Sequence, residues 1–330
     1  MVSLPGLARR GDDALRGALS RLARRRGWTP AVLAHPGYGS GSRVRVLGRV
    51  LLAPPSANPE RRRALPGWQR FLTLESPHTP VEVEVAGVRA QTRSDVDGLV
   101  DLTLDLPADV AAAAGVAGQL SAVLRAGDRQ ATAPVHLASP DAARGVVCDI
   151  DDTVLVTGIA TPLRAAWRTF LQPMQTRQAV PGMVALLREL TSGAPNVPVV
   201  YLSNGPWNLV GPLAAFLERA GFPPGALLLT DWGPSPTRWF RDGPAHKRAA
   251  LLRLADDLPG VSWTLVGDTG EHDPQLYREF VTAAPGRVRA VLLRDVAAPA
   301  GAARVDRIGE VPLVYGRDGA SLAAALPAPD

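Results

Sequence analysis

Apolar and polar residues alternate in short runs over the first half of the chain. Runs such as 43–52, 81–87 and 119–126 are bounded by Gly, Pro, Asp or Asn, which typically end strands. Alternation with a period of two indicates strands that turn one face toward a core. The pattern predicts an antiparallel β-sandwich of roughly seven strands over 31–140. The proline-rich stretch 53–67 is expected to be a loop.

The pattern changes after residues 139–145. Short apolar runs now alternate with segments whose apolar positions recur every three or four residues, as in amphipathic helices. Alternation of strands and helices predicts an α/β domain over 141–330, with a doubly wound, mostly parallel sheet. Between Thr153 and the helix expected near Pro181 there is room for a flap and one short helix, so the cap should be minimal.

Composition is that of a folded globular protein. The chain has 330 residues, of which 46% are hydrophobic and 20% charged, and this length favours two domains. One cysteine, Cys148, excludes an internal disulfide and a cysteine-based zinc site, and it favours a reducing compartment. No apolar signal segment or uninterrupted membrane span is apparent, so a cytoplasmic location is expected.

The positive charge is concentrated at the N-terminus. Residues 1–30 contain seven arginines and two aspartates, which account for the whole net charge of +5. Leu15, Leu19 and Leu22 share one face of a possible helix. Two interpretations remain open: a solvated or packed basic arm, and a peripheral contact with an anionic membrane. RNA or DNA is not an expected partner, because no nucleic-acid-binding module accompanies the charge.

Polar residues follow the predicted strands of the second half. In an open parallel sheet the carboxyl ends of the strands meet at one edge, where ligands bind. We therefore expect one site there. Its candidate residues are Asp149, Asp151, Thr153, Ser203, Asn204, Gly205, Lys247, Asp268 and Asp273.

Crowded carboxylates repel one another unless a cation lies among them. An all-oxygen ligand set favours Mg²⁺, and the predicted ligands are Asp149, Asp151, Asp268 and Asp273. Two carboxylates two residues apart suit phosphoryl transfer, because Asp149 can attack phosphorus while Asp151 acts as acid and base. In an extended chain the two would share a face.

The remaining candidates would hold the phosphoryl group or support catalysis. Ser203 and the backbone of Asn204 and Gly205 are predicted to bind phosphoryl oxygens, and Thr153 is predicted to be catalytic. Lys247 is the one lysine among 36 cationic side chains. A compact ammonium can contact an aspartate and a phosphate oxygen together, which the larger guanidinium does less readily. A chance surface lysine is the competing interpretation.

Other interpretations of these residues fit the sequence less well. A calcium loop starting at Asp149 lacks the required Gly at its sixth position and Glu at its twelfth. The DTG sequence at 268–270 would need an all-β aspartic protease fold. His272 is expected to be a turn residue before a helix. The aromatic and basic stretch 232–241 is equally compatible with a substrate-contacting lip and with packing under a loop.

The segments DIDDTVLVTGI, YLSNGPWNL, LTDWGPSPTRWFRDGPAHKR and LVGDTGEHDPQLY occur in this order. They resemble the haloacid dehalogenase superfamily of aspartate-nucleophile phosphatases, and most closely phosphatidate phosphatases of the actin-patch-protein type. The resemblance implies Mg²⁺-dependent hydrolysis of phosphatidate to diacylglycerol and phosphate. The implied roles are nucleophile for Asp149, acid/base for Asp151, phosphate binding for Ser203 and Lys247, and metal-side acids for Asp268 and Asp273.

Two alternatives to a lipid phosphatase remain. One is a phosphatase for soluble or macromolecular phosphoesters. The other is a lipid-binding or scaffold protein whose catalytic half is vestigial.

Overall fold

The computed structural model describes residues 17–55, 73–156, 177–230, 243–299 and 301–326. The strands are β1 (Thr29–Gly39), β2 (Arg43–Ala53), β3 (Leu74–Glu75), β4 (Pro80–Val85), β5 (Val88–Arg93), β6 (Leu99–Asp105), β7 (Gln119–Ala126), β8 (Arg129–Leu137), β9 (Arg144–Asp149), β10 (Val199–Pro206), β11 (Ala226–Thr230), β12 (Ser262–Asp268), β13 (Val288–Arg294), β14 (Ala303–Ile308) and β15 (Val311–Gly316). The helices are α1 (Ala108–Ala117), α2 (Met183–Thr191), α3 (Val210–Ala220), α4 (Gly243–Asp257), α5 (Asp273–Ala283) and α6 (Gly319–Ala324). Residues 17–25 are also helical.

Several predicted features fall outside the described residues. They are most of the proline-rich loop, the short helix of the flap, the aromatic and basic stretch, and the first half of the basic arm. Among the described helices, none has both the length and the apolar character that crossing a bilayer requires.

The first eight strands form one sheet in the order β3-β2-β1-β8-β7-β4-β5, and β6 also pairs with β2. Strand β2 pairs with β1 along one edge and with both β3 and β6 along the other. This strand therefore joins what would otherwise be two separate layers, and the sheet curls into a half-barrel. The predicted two-sheet sandwich is not confirmed.

Two elements of this region were not predicted. Strand β1 contains Pro30 and Pro36, and its register with β2 shifts between His35 and Tyr38. Proline is tolerated at such an irregularity because the missing N–H has no ladder partner to bond. Helix α1 is made almost entirely of Ala, Val and Gly, so it lacks the amphipathic period that would reveal it.

The second sheet has the order β11-β10-β9-β12-β13-β15-β14. All of its neighbouring pairs are parallel except β14 and β15. Strand β9 lies between β10 and β12, so the carboxyl ends of these three strands are adjacent. The prediction of strands alternating with helices is correct from β9 to β13. The antiparallel β14–β15 pair and helix α6 were not predicted.

The helices of the second half bury one apolar face each. Helix α3 buries Val210, Leu213, Phe216 and Leu217, a spacing of three and four residues that matches the helical period. It ends at Gly221, whose φ of 81° is in the left-handed region that glycine favours. Helix α2 packs against α6, and α4 packs against α5. The second sheet thereby gains a core that fixes its strand ends.

The two sheets share a partly polar junction. Tyr38 donates a 2.6 Å hydrogen bond from its hydroxyl to Asp257 at the end of α4. The side chains of Tyr38 and Leu47 also belong to the apolar core of the second sheet. The ring of His35 stacks on Trp207, with ring centroids 5.2 Å apart and planes inclined by 10°. The junction therefore brings β1 against the chain that follows β10.

Protonation of His35 is expected to weaken the fold. Burial, reinforced by the nearby Arg49 cation, lowers the pKa of His35 to about 3. The unfolded chain binds this proton near pH 6.5, so the contribution of neutral His35 to stability is complete above pH 6.5 and is lost as pH falls toward 3. We expect His35→Phe, which retains a ring against Trp207, to remove a pH slope of up to about 1.4 kcal/mol per pH unit.

The measurement is urea unfolding of both proteins from pH 4 to pH 8. The difference in their free energies of unfolding should be constant above pH 6.5 and should shrink or reverse below it. A difference that does not change with pH would show that His35 is not held neutral by its burial.

Candidate active site

The predicted site residues converge at one edge of the second sheet. Asp149 is the last residue of β9, and Asp268 is the last residue of β12. Ser203 lies in the final part of β10, while Asp273 begins α5. Lys247 lies in the first turns of α4. All five side chains are buried, so the protein interior and not bulk water determines their electrostatics.

Lys247 occupies the centre of the site. Its Nζ atom donates hydrogen bonds of 2.7 Å to Asp149 Oδ1 and 2.6 Å to Asp273 Oδ1. Glu271 Oε2 lies 3.6 Å from the same nitrogen. The side chain of Lys247 is 1% exposed, and buried charges of this kind persist only when they are paired. The interpretation of Lys247 as a chance surface lysine is therefore wrong.

Three carboxylates lie together around this lysine. Asp149, Asp268 and Asp273 each offer an oxygen, and these oxygens lie within 4.8 Å of one another. Asp149 Oδ2, Asp268 Oδ1 and Asp273 Oδ2 are buried and accept no hydrogen bond from the described residues. One ammonium cannot balance three carboxylates. The donor set, all oxygen and partly unpaired, fits a hard divalent cation such as Mg²⁺.

The same excess of negative charge shifts the protonation of the cluster. Burial raises the pKa of Asp149 well above its usual range, and Lys247 opposes that shift. Burial, with the charge of Asp273, raises the pKa of Asp268 to about 7. Burial alone would lower the pKa of Lys247, but its carboxylate neighbours outweigh burial and raise it well above the usual value. The lysine is thus cationic, and a further cation would keep the acids ionised.

Asp151 lies apart from the other predicted metal ligands. Its Oδ2 accepts a 2.9 Å hydrogen bond from the Ser203 hydroxyl, and its carboxylate is not part of the three-acid group. Strand β9 ends at Asp149, and the chain turns after Asp151, at Asp152, whose φ is 51°. That Asp149 and Asp151 share a face stays a prediction. Burial and the charge of Glu271 raise the pKa of Asp151 to about 6.

Residues 203–205 lie in the last part of β10, where its register with β11 shifts between Leu202 and Pro206, and this irregular segment is called the 203–205 loop below. The Gly205 amide donates a 2.9 Å hydrogen bond to the Ser203 hydroxyl. The Asn204 side-chain amide donates to Glu271 Oε2 at 3.2 Å. From the neighbouring β11, the Thr230 hydroxyl donates to the Asn204 carbonyl at 2.8 Å. The loop is thereby hydrogen-bonded to Glu271 on one side and to Thr230 of β11 on the other.

The structure adds residues that sequence reasoning did not select. Glu271 bridges Asn204 and Lys247, but a glutamate in a turn carries no sequence signal of such a contact. Gly267 admits no larger residue: a Cβ there would lie 2.5 Å from Asp273 Oδ2 and 2.9 Å from the ring of Tyr277. The predicted residue Thr153 is buried, and its hydroxyl has no hydrogen-bond partner among the described residues.

His272 immediately precedes α5, as predicted for a turn residue. Pro274 follows within the first turn of that helix, where a missing backbone N–H costs nothing. The sharp start of α5 brings Asp273 back toward Lys247.

Residues 144–295 match the family model for the catalytic domain of phosphatidate phosphatase APP1. This stretch is therefore similar to the catalytic domain of that family. It contains every predicted site residue, so the buried cluster lies inside the stretch that matches a phosphatase catalytic domain. The resemblance seen in the sequence motifs is confirmed.

Two fungal relatives extend this comparison. An uncharacterized protein of Schizosaccharomyces pombe is 31% identical over 153 residues, which are 46% of this chain and 25% of the relative. Phosphatidate phosphatase APP1 of Saccharomyces cerevisiae is 26% identical over 249 residues, 68% of this chain and 39% of the relative. The chain thus spans well under half the length of both relatives.

Similarity to solved structures is weak. A carbohydrate acetylesterase from Xanthomonas citri is 13% identical and covers 78% of this chain and 56% of its own, with a TM-score of 0.26. A score this low carries no argument about fold or activity.

Lys247→Met is expected to destabilise the protein strongly. The substitution keeps most of the side-chain volume but leaves buried carboxylates without their cation, which typically costs about 3–5 kcal/mol. The matched control is Arg248→Met, because the neighbouring Arg248 forms an ion pair with Glu279 that is 44% and 37% exposed. That variant should lose about 0–1 kcal/mol.

Chemical unfolding in the presence of a chelator measures both variants against wild type. Equal losses for the two variants would contradict a central electrostatic role for Lys247.

Proposed function

We propose that the chain is a Mg²⁺-dependent phosphatase that works through an aspartyl-phosphate on Asp149 and hydrolyses phosphatidate to diacylglycerol and phosphate. The observation that carries the proposal is the buried group of three carboxylates around one lysine, with an unpaired oxygen on each acid. The family of residues 144–295 and the name of the budding-yeast relative support a phosphatidate substrate.

The cation would be held by Asp149, Asp268 and Asp273. Asp151 was also predicted as a ligand from the sequence, and the proposal retains it beside these three acids. Bound Mg²⁺ would supply positive charge that offsets the repulsion between the phosphoryl group and the acids.

In the first half of the reaction, a carboxylate oxygen of Asp149 attacks phosphorus. A bond from that oxygen to phosphorus forms while the ester P–O bond breaks, and Asp151 gives its proton to the leaving alcohol oxygen. The pKa of about 6 suits this role, since it leaves part of the Asp151 population protonated near neutral pH.

In the second half, Asp151 accepts a proton from water, and the resulting hydroxide attacks phosphorus. The bond between phosphorus and Asp149 breaks, phosphate leaves and the Asp149 carboxylate is restored. Ser203, the Asn204 and Gly205 amides and Lys247 would hold the phosphoryl oxygens through both halves. The Thr153 hydroxyl, which is buried and has no hydrogen-bond partner among the described residues, would be a further donor.

We propose the following organisation for the chain: a basic arm over 1–30, a β-rich domain over 31–140 and a haloacid-dehalogenase-like, doubly wound catalytic domain over 141–330. The flap begins and ends in a short paired stem, in which Val156 and Val180 donate backbone hydrogen bonds to Gln178 and Val154. A minimal cap would leave the site open to a head group presented by a membrane.

A peripheral membrane contact is part of the proposal. In the helical residues 17–25, Leu19 and Leu22 are 43% and 45% exposed, whereas Ala23 faces the protein. Arg21 and Arg25 are exposed on the same short helix. Apolar and cationic side chains arranged in this way suit the surface of an anionic bilayer. The single buried Cys148 is consistent with a reducing compartment such as the cytoplasm.

The central test uses phosphatidate in mixed micelles with Mg²⁺. Wild type should release phosphate, and Asp149→Asn should reduce release by at least about a thousandfold because the nucleophile is lost. Acid quenching during turnover of labelled substrate should leave label on Asp149 in wild type. A chelator should abolish release, and added Mg²⁺ should restore it.

The same assay separates the alternatives. Release from soluble phosphoesters or phosphopeptides but not from phosphatidate would refute the lipid assignment and support a soluble-substrate phosphatase. Turnover of no phosphoester at all would refute the enzymatic proposal and support a scaffold role.

Membrane contact is tested by sedimentation with vesicles of phosphatidylcholine that contain or lack phosphatidate. Wild type should pellet with the anionic vesicles, and the double substitution Leu19→Ser and Leu22→Ser should reduce pelleting, since the apolar face is lost. The matched control is Val305→Ser, because Val305 is 56% exposed on β14. If the double variant pellets as wild type does, helix 17–25 is not the membrane contact.

A further inference from the structure

The first sheet contacts the chain immediately beyond the segment 203–205. A short 3-10 turn, Trp207–Leu209, follows that segment and precedes α3. Both residues at the start of this turn meet side chains of the first sheet: Trp207 stacks on His35, and Asn208 accepts a 3.0 Å hydrogen bond from Arg49 Nη1. The two sheets are therefore joined close to the proposed phosphate-binding loop.

Arg49 is well suited to hold Asn208 in one place. Its side chain is 3% exposed, and it also pairs with Glu75, which is 11% exposed, at 3.2 Å. Burying a guanidinium is costly unless its donors are satisfied, and its planar shape gives those donors fixed directions. Arg49 therefore cannot shift without losing a buried ion pair, and Asn208 is bonded to a rigid donor.

The loop is restrained from the opposite side as well. Thr230 on β11 donates to the carbonyls of Asn204 at 2.8 Å and Gly205 at 3.3 Å. Pro206 lies between this contact and the turn. Its ring fixes the backbone φ angle, which is −75° here. The segment 203–205 is thus fixed between the second sheet, through Thr230, and the first sheet, through His35 and Arg49.

We infer that Arg49 and His35 are positioning residues for the phosphate-binding loop 203–205, acting through Asn208 and Trp207. The first sheet then contributes to substrate binding through the turn 207–209 and not by direct contact of Arg49 or His35 with the substrate. This inference rests on the proposed function, because it assigns phosphate binding to that loop. It predicts that loosening the turn weakens phosphate binding and leaves cation binding intact, since Asp149, Asp268 and Asp273 lie on other elements.

The experiment changes Asn208, which is half-buried, and leaves the Arg49–Glu75 ion pair in place. Asn208→Ala removes the acceptor, and Asn208→Asp keeps an oxygen for Arg49 and serves as the conservative rescue. The matched control is Arg253→Gln. It also breaks contacts between the sheets, a 2.8 Å bond to Asp101 and a 3.1 Å bond to Thr103, but at the far end of α4.

The readouts are the KM for a phosphate ester, the inhibition constant of inorganic phosphate, the Mg²⁺ concentration for half activation, and the melting temperature. For Asn208→Ala we expect the first two to rise about tenfold, because small misplacements of binding groups are costly, while the Mg²⁺ requirement is unchanged. Asn208→Asp should resemble wild type. Arg253→Gln should lower the melting temperature without changing KM or phosphate inhibition.

Two results would overturn the inference while wild type is active. One is an Asn208→Ala enzyme with unaltered KM and phosphate inhibition. The other is an equal rise of both constants in Arg253→Gln, which would show a general effect of loosening the junction. If wild type neither releases phosphate nor binds it in a thermal shift assay, the proposed function fails and the inference falls with it.

Discussion

The structure of the site depends on one buried ammonium shared by two aspartates. Lys247 contacts Asp149 at the end of the central strand β9 and Asp273 at the start of helix α5. A lysine this deeply buried keeps its charge only because both carboxylates are in place. Without the lysine, each ionised carboxylate would be a buried and unbalanced charge, which destabilises a fold. The ion pair therefore couples α4, β9 and α5. The same contact uses one oxygen of each acid and leaves the other oxygen without a hydrogen-bond partner among the described residues, an arrangement that is compatible with a second cation.

Close backbone approach makes this arrangement possible. The lysine reaches both acids because only a short turn separates the end of β12 from the start of α5. Gly267 has no side chain, and any side chain there would fill the space that Asp273 occupies. The neighbouring Tyr277 donates a 3.0 Å hydrogen bond to the Val266 carbonyl, which holds α5 against the end of the strand. Charge and packing therefore act on the same few residues. A larger residue at 267 would displace an acid as well as crowd a helix.

Sequence reasoning succeeded where a single element carries the signal. The strand-end acids and the unusual Lys247 were identified because their types and order are informative along the chain. The positive φ of Asp152, where the chain turns after Asp151, was not predicted, because an alternating pattern indicates a straight strand. Strand β1 was not predicted, because Pro36 interrupts the sequence pattern that would indicate a strand. The contact of Arg49 with Asn208 joins residues 159 positions apart, and no local pattern encodes such a pair.

The junction between the two sheets is held by directed polar contacts. Arg45 holds Asp101 through two hydrogen bonds of 2.9 and 2.8 Å, and Asp101 in turn accepts a bond from Arg253 of α4. A purely apolar junction could slide with little cost, because dispersion forces have no preferred direction. Directed bonds between buried or half-buried ions are lost by small displacements, so they define one relative orientation of the sheets. Of these bonds, the one from Arg49 to Asn208 lies in the turn directly after β10, so this bond, and not the more distant pair of Asp101 and Arg253, restrains the chain next to the proposed phosphate-binding loop.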